Sequence, residues 1–291
     1  MDYNVFINVI KASVQEMLPE CEISVRDIVK NNNVVLSAIS IKSDNVNAAP
    51  TIYLEQFYME YKEGEDIKSI VDKIIEIYEH TKLGVNYNLD GIESYDKAIN
   101  HIYFKAVNYE KNSDFLSDIP YYLFEDLALV PYYMIDDEVI GEASVVIHND
   151  LFESWKVDSD RFYRDVMINM ENHYEYEFRP ITEVLSKLSG GMLPDDMSCL
   201  GMYVLFPENK YYGAALIAVN SVLYNIAEML KSDYYILPSS VHELIIVKSD
   251  DKKDEKLLNE IISEVNNTSV SPEDILANHA YYYKRGYGIT Q

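Results

Sequence analysis

The sequence predicts an α+β protein in which antiparallel β-sheets carry flanking amphipathic helices, arranged as two closely packed lobes. Three observations support this class. Apolar residues recur at helical spacing in several segments, short β-branched and aromatic runs follow one another directly, and the strand–helix alternation of parallel sheets is missing. With 291 residues the chain is near the upper size for one core. We therefore predict an N-terminal lobe at residues 1–150 and a C-terminal lobe at residues 151–291.

The N-terminal lobe begins with an amphipathic helix that Pro19 ends. Residues 23–29 and 34–41 are β-rich and flank three consecutive asparagines. Because asparagine tolerates left-handed backbone angles, this pattern predicts a hairpin. Residues 53–62 predict a helix, and residues 67–78 predict a longer one, since their apolar side chains follow the 3, 4, 7, 8, 11 spacing of one helix face.

The period changes to that of strands near residue 100. Residues 102–107, 127–134 and 143–147 are short β-branched or aromatic runs, and they predict strands paired antiparallel in sequence order. Asp136 and Asp137 predict a charged turn between the last two strands.

The C-terminal lobe mixes helices and strands. In chain order its patterns predict a helix start at Asp150 with capping-box character, a helix at 159–176, a short helix from Pro180, a loop at 190–196, strands at 202–206 and 212–218, a helix at 222–230, strands at 234–237 and 243–248, a helix at 257–265 and a helical turn from Ser271.

The composition limits the partners and the compartment. The net charge is −25, and residues 101–200 alone carry 20 acids against 7 bases. Direct binding to nucleic acid and attraction to anionic membranes are not expected, because both depend on Lys and Arg. Two distant cysteines, Cys21 and Cys199, indicate free thiols in a reducing compartment. No signal peptide and no membrane span are apparent, so we predict a cytoplasmic protein.

Tyrosine is unusually frequent, with 26 residues against 9 Phe and 1 Trp. The strand propensity of tyrosine combined with compositional bias is the interpretation we favour. The alternative is an aromatic recognition surface for a protein partner.

Ser240, His242 and Glu243 are the weak candidates for a catalytic site, because Ser, His and an acid occur together in nucleophilic hydrolases. On a strand, Ser240 and His242 would share one face and Glu243 would point away. The Ser240-x-x-Glu243 spacing is also that of a capping box, and Pro238 with Ser239 favours a turn. A structural turn is therefore the favoured interpretation, ahead of a binding site and of catalysis.

The other motifs exclude some chemistry. The six histidines do not form a His-x-x-x-His pair, both cysteines are isolated, and glycine-rich phosphate loops are missing. We predict no metal site and no cofactor. Adjacent acids such as those at 125–126, 136–137 and 250–251 are interpreted as solvated turns, since glycosidase carboxylates need defined separations across a pocket.

Several segments in one order resemble an uncharacterised bacterial domain-of-unknown-function family of about this length. Two signatures are the strongest: Pro50-Thr51-Ile52-Tyr53-Leu54-Glu55 and Leu237-Pro238-Ser239-Ser240-Val241-His242-Glu243. The similarity covers residues 25–283. It implies no established activity, cofactor or catalytic residue.

Three functions remain open at this point. The first is a non-enzymatic interaction or regulatory protein that contacts a protein partner. The second is an acidic decoy that mimics DNA, since 25 charges match roughly 42 Å of duplex at one charge per about 1.7 Å. The third is a hydrolase that uses Ser240 and His242. Whether the chain is an enzyme and which oligomeric state it adopts stay undecided by the sequence.

Overall fold

The computed structural model describes residues 1–43, 51–81, 91–137, 141–188, 201–207, 212–238, 240–249, 255–268 and 270–290. The chain divides into two compact units. The first contains Met1–Gly91 and Asp136–Ala143, and the second contains Ile92–Ile135 and Ser144–Gln291. The α+β class with antiparallel sheets is confirmed. The division into separate lobes at residues 1–150 and 151–291 stays a prediction.

The first unit is a three-stranded antiparallel sheet with three helices. Its elements are α1 (Tyr3–Met17), β1 (Glu22–Val29), β2 (Val35–Lys42), β3 (Thr51–Tyr53), α2 (Glu55–Glu63) and α3 (Ile67–Thr81). The hairpin of β1 and β2 is confirmed, and Asn32 and Asn33 in its connection have positive φ angles of 61° and 56°. The apolar faces of α1 and α3 bury Phe6, Ile10 and Ile70 in one core with the sheet.

The Pro50–Glu55 signature has a structural role here, although Pro50 lies outside the described residues. One oxygen of the Glu55 carboxylate accepts hydrogen bonds from the Ser37 backbone N–H at 2.6 Å and from the Tyr3 hydroxyl at 2.7 Å. These bonds fasten the start of α2 to β2 and to α1. The predicted helix at 53–62 begins later than expected, at Glu55, because residues 51–53 pair with β2 as β3.

The second unit contains two antiparallel sheets. Its helices are α4 (Tyr95–Ala98), α5 (Ser113–Leu116), α6 (Asn149–Ser154), α7 (Ser159–His173), α8 (Ile181–Leu188), α9 (Asn220–Leu230) and α10 (Glu255–Thr268). Its strands are β4 (Ile102–Asn108), β5 (Tyr122–Phe124), β6 (Leu127–Asp137), β7 (Gly141–Val146), β8 (Tyr176–Pro180), β9 (Met202–Pro207), β10 (Tyr234–Leu237), β11 (Leu244–Lys248), β12 (Tyr281–Lys284) and β13 (Gly288–Thr290). The last two residues of β6 and the first three of β7 are assigned to the first unit.

The larger sheet has six strands in the order β13-β12-β10-β11-β9-β8. On one face, Leu237 and Val247 pack against Leu258 and Ile262 of α10. On the other face, the Tyr234 hydroxyl donates to the Leu223 carbonyl of α9 at 2.8 Å. The smaller sheet has β6 between β4 and β5, with β7 also paired to β6. The candidate site lies on the first face of the larger sheet, the one that packs against α10. Helix α8 lies on this same face.

The strand predicted at 212–218 is wrong. Residues Gly213–Ala218 form a 3₁₀ helix in which every residue is buried. A short apolar run without polar positions has no visible period, so it reads equally well as a buried strand or a buried helix. Tertiary contacts determine which of the two conformations forms, because this segment packs against strands β4, β9 and β11.

Four smaller predictions also need correction. Asp136 and Asp137 are not a turn, since β6 continues through them. The helix predicted to 176 ends at His173, and Tyr176 belongs to β8. His148, not Asp150, is the N-cap residue of α6. Residues 272–274 form a turn that the Asp274 N–H closes on the Ser271 carbonyl, at 2.8 Å, without continuing into a helix. The loop predicted at 190–196 lies outside the described residues.

Many tyrosines lie in the interior. Those that are buried include Tyr78, Tyr132, Tyr133, Tyr174, Tyr234, Tyr281 and Tyr283, whereas Tyr109, Tyr224 and Tyr287 are exposed. The hydroxyls of Tyr234 and Tyr281 donate to the Leu223 carbonyl and to Asp126 while their rings pack in the interior, as amphipathic rings do in cores. Strand and core packing therefore accounts for much of the tyrosine content.

Two expectations about the environment remain predictions. Cys21 is a buried free thiol whose Sγ lies 3.4 Å from the Tyr78 hydroxyl, and Cys199 lies outside the described residues. Within the described ranges, helices that combine enough length and apolar character to cross a bilayer are missing. The cytoplasmic location stays a prediction.

Candidate functional site

The connection between β10 and β11 contains the three predicted site residues, Ser240, His242 and Glu243. The two strands pair antiparallel, so the connection leaves and re-enters the sheet at the same end. Ser240 is held there by an isolated antiparallel bridge to Ile275. Ser239 lies outside the described residues.

The Ser240 hydroxyl belongs to the turn itself. Its Oγ accepts the backbone N–H of His242 at 3.0 Å. Ser240 is only 5% exposed. This contact fixes the shape of the turn, as serine side chains commonly do. A nucleophilic role for this hydroxyl stays a prediction.

The His242 imidazole has a polar contact at each nitrogen. Nε2 lies 3.3 Å from Oδ1 of Asp274, and Nδ1 accepts a long hydrogen bond of 3.5 Å from the Tyr212 backbone N–H. Since a backbone amide can only donate, Nδ1 carries the lone pair and Nε2 carries the proton that faces Asp274. The Tyr212 ring stacks on the imidazole with centroids 5.9 Å apart. The imidazole is therefore oriented by groups from two other segments.

A close backbone approach holds this turn against the 3₁₀ helix. The Gly213 N–H donates to the His242 carbonyl at 2.9 Å, and the Ala214 N–H donates to the Val241 carbonyl at 3.3 Å. A Cβ on Gly213 would collide with the His242 carbonyl oxygen and with the Pro207 ring, closer than the 3.0 Å that real Cβ atoms keep. Only glycine fits at this position.

A cleft of about 630 Å³ lies on the first face of the six-stranded sheet, beside α8. This volume is in the range of small-ligand sites. Its wall and floor are mainly apolar, with polar side chains at the edges. The lining residues are Glu177, Arg179, Ile181, Val184, Lys187, Val204, Phe206, His242, Glu243 and Ile245.

The strand register explains why these side chains meet. Arg179, Val204 and Ile245 are direct cross-strand neighbours in β8, β9 and β11, so they form one row across the floor. Glu177 pairs with Phe206, and Glu243 precedes the Leu244 that pairs with Leu205. Phe206 and Glu177 therefore form the next row, and Glu243 immediately precedes β11, where the pairing with β9 begins. Both glutamates and Phe206 line the cleft.

Glu243 is the half-buried acid of the cleft. Burial raises the pKa of its carboxyl above the ordinary value, and the neighbouring Asp274 acts in the same direction. His242 and the Ser240 hydroxyl oppose this shift, but burial dominates. The charged form of Glu243 is thus disfavoured, and a cationic group placed beside it would stabilise it.

The basic residues of the cleft already have acidic partners. Arg179 contacts Glu177 at 2.6 Å and Glu183 at 2.8 Å, and Lys187 contacts Glu183 at 3.3 Å. This network neutralises the edge of the cleft formed by β8 and α8.

A second cavity, of about 590 Å³, lies at the β12–β13 end of the same sheet. Asp126 accepts hydrogen bonds there from His279, at 3.1 Å, and from the Tyr281 hydroxyl. The His279 ring meets the Tyr281 ring edge-on at 4.7 Å. Glu125 and Glu255 also line this cavity.

In the Asp126–His279 pair, each group shifts the pKa of the other in the direction that favours the charged form. The hydrogen bond from His279 lowers the pKa of Asp126, and the hydrogen bond to Asp126 raises the pKa of His279. The lowered pKa of Asp126 contributes stability above the ordinary Asp value of about 3.9, which is lost as the pH falls through the folded value. The raised pKa of His279 contributes stability below the ordinary His value of about 6.5, which is lost as the pH rises through the folded value.

We expect His279→Ala to lower the free energy of unfolding by about 1 kcal/mol near pH 5.5 and by less at pH 9, since the contribution of the pair is lost as the pH rises through the raised pKa of His279. The magnitude is modest because the two side chains are 44% and 42% exposed. Urea unfolding at both pH values measures the difference. His80→Ala is the control, since His80 is an exposed helical residue beside Glu76 at 3.9 Å and should change little at either pH. An equal loss for His279→Ala at both pH values would contradict the ion pair.

Metal-ligand clusters of three or more His, Cys, Asp or Glu side chains do not occur among the described residues.

Sequence reasoning missed several of these residues. Asp274 faces His242, and Asp126 faces His279, only because the segment at 270–280 folds back on the sheet and on β6. The sequence pattern places Asp274 in a predicted helical turn. His279 belongs to no metal-binding motif, so its position in the sequence does not indicate a role. Pairs separated by 32 and 153 residues leave no local signal in a single sequence.

Comparison with known protein families places the chain in a family of unknown function. The family model described as "Family of unknown function (DUF5688)" matches residues 3–285, so the chain belongs to this family. Neither the curated proteins nor the solved structures contain a match.

Proposed function

We propose that this member of the DUF5688 family is a non-enzymatic interaction protein that binds a segment of a partner protein in the cleft beside α8. One observation carries the proposal: the segment 237–243, which resembles a family signature, ends in His242 and Glu243, and these two residues form one polar end of a cleft whose floor and wall are mainly apolar. Apolar walls with a few placed polar groups are typical of recognition sites.

The internal contacts of the signature support binding more than catalysis. The Ser240 hydroxyl is engaged by the turn, and both imidazole nitrogens of His242 face other groups. The apolar floor of Val204, Phe206 and Ile245 provides surface that a partner side chain would remove from water.

We expect Val184→Glu to abolish partner binding, because it places a charged side chain in the apolar wall of the cleft. Val184 is half-buried on α8, so the fold should tolerate the change. The measurement is capture by the immobilised full-length protein from an extract of its own cells, quantified by mass spectrometry. Ile168→Glu is the matched control, since Ile168 is 51% exposed on α7 and is not a lining residue of the cleft.

Loss of one stoichiometric partner with Val184→Glu, and its retention with Ile168→Glu, is the expected result. Retention with both variants would reject the cleft as the binding site. A nucleic-acid-binding partner would favour the DNA-mimic hypothesis, which rests on the net charge of −25. No partner with wild-type protein would shift weight to a hydrolase that uses Ser240 and the His242–Asp274 pair.

A further inference from the structure

Negative charge exceeds positive charge at the end of the cleft formed by His242 and Glu243, which we call the acidic end. Glu243 lies beside Asp274, and the two carboxylates share His242 as their basic neighbour. Among the described residues, no lysine or arginine forms an ion pair with Glu243. The charged form of Glu243 costs free energy, because its carboxylate is half-buried and lies near a second acid. A bound cation would offset that cost.

The opposite edge of the cleft does not favour an anion. Arg179 and Lys187 are both engaged with Glu177 and Glu183, so an anionic ligand would have to break existing ion pairs. The chemistry of the cleft is therefore asymmetric, with an uncompensated acid at one end and neutralised bases at the other.

The register adds an aromatic surface at the acidic end. Phe206 is the cross-strand partner of Glu177, Glu243 immediately precedes the Leu244 that pairs with Leu205, and Phe206 and Glu243 both line the cleft. A cation held within about 6 Å of an aromatic ring centroid is attracted by the face of the ring. Because Glu243 and Phe206 line the same cleft, one cationic group can contact both the carboxylate and the ring.

We propose that the cleft recognises an arginine or lysine side chain of a partner protein, held over Phe206 against Glu243, with apolar side chains of the same segment along Ile245, Val204 and Val184. This inference rests on the proposed function and names the chemistry of its ligand. The net charge of −25 gives a basic partner a favourable long-range attraction. A cleft of about 630 Å³ exceeds the space of one cationic head, and its apolar floor fits the neighbouring side chains.

The test compares two peptide probes that differ only in charge. Fluorescein-labelled Leu-Arg-Leu-Leu-amide and the same peptide with neutral citrulline in place of arginine are titrated with the full-length protein, and fluorescence anisotropy gives each Kd. We expect the arginine probe to bind wild-type protein about tenfold more tightly than the citrulline probe, as one charge-assisted contact would give.

Glu243→Gln should remove this preference, because the amide keeps the size of the side chain and loses its charge. Glu264→Gln, at an exposed position of α10, makes the same change in net charge and should keep the preference. Phe206→Leu is a second variant, which keeps an apolar floor, removes the ring and should reduce the preference. Unchanged thermal midpoints show that each variant is folded.

Equal affinities of the two probes for wild-type protein, or a preference that survives Glu243→Gln, would overturn the inference. An equal loss in Glu264→Gln would also overturn it, since it would show general attraction to an acidic surface. The proposed function fails separately, when Val184→Glu retains the partner. If Val184→Glu loses the partner while the two probes bind equally, the cleft binds a partner of different chemistry.

Discussion

Gly213→Ala is expected to destabilise the protein by about 3 kcal/mol, because the new Cβ overlaps the His242 carbonyl and the Pro207 ring. To relieve the overlap, the 3₁₀ helix and the turn at 240–243 must separate, which breaks the Gly213 N–H bond to His242. The same movement displaces Tyr212 from the imidazole. Urea unfolding gives the loss of free energy, and the Kd of the arginine probe should rise in parallel.

Gly286→Ala is the matched control in the same unit. Gly286 has a φ of +81°, and a Cβ there would have no heavy atom within 4 Å. Its cost is therefore backbone strain alone, about 1 kcal/mol. If Gly213→Ala costs no more than Gly286→Ala, the close approach of the two segments does not exist in solution.

Asn266→Asp is expected to cost about 3 kcal/mol at neutral pH. The Asn266 side chain is 4% exposed, and its Nδ2 donates to the Ala277 carbonyl at 2.9 Å and to Oδ1 of Asn278 at 2.7 Å. A carboxylate cannot donate, so the change places a buried negative charge against two acceptor oxygens. The segment that carries Asp274 and His279 would then lose both hydrogen bonds from Asn266 of α10.

The pH dependence of this variant has a definite sign. Burial and the acceptor oxygens would raise the pKa of the introduced carboxyl above its unfolded value, so the deficit should be largest at high pH and shrink as the carboxyl is protonated. Asn259→Asp is the control, because Oδ1 of Asn259 accepts the Ala280 N–H at 2.8 Å and a carboxylate accepts equally well. It should cost less than about 0.5 kcal/mol. Equal costs for the two variants would contradict the donor role of Asn266.

Both positions support the turn at 240–243. Tyr212 and Gly213 contact this turn directly, and Asn266 holds the segment that supplies its acidic neighbour, Asp274. These residues are far apart in sequence, and the fold of the second unit brings them to one region.

Elements with a strong periodicity can be predicted from the sequence. The helix α3 and the hairpin of β1 and β2 were correctly predicted, because alternating burial leaves a period of 3.6 or 2 residues in the chain. The α+β class followed from the order of these elements. Ser240, His242 and Glu243 were identified as candidates from residue type alone, without their partners.

The contacts of those candidates depend on the tertiary structure. The buried run at 213–218 has no period, so its 3₁₀ conformation depends on the strands that cover it. The pairing of His242 with Asp274 comes from a segment that returns to the sheet, and the pairing of Phe206 with Glu177 comes from the sheet register. Local propensity acts over a few residues, whereas the cleft is assembled by contacts between residues that are distant along the chain, and no local pattern records them.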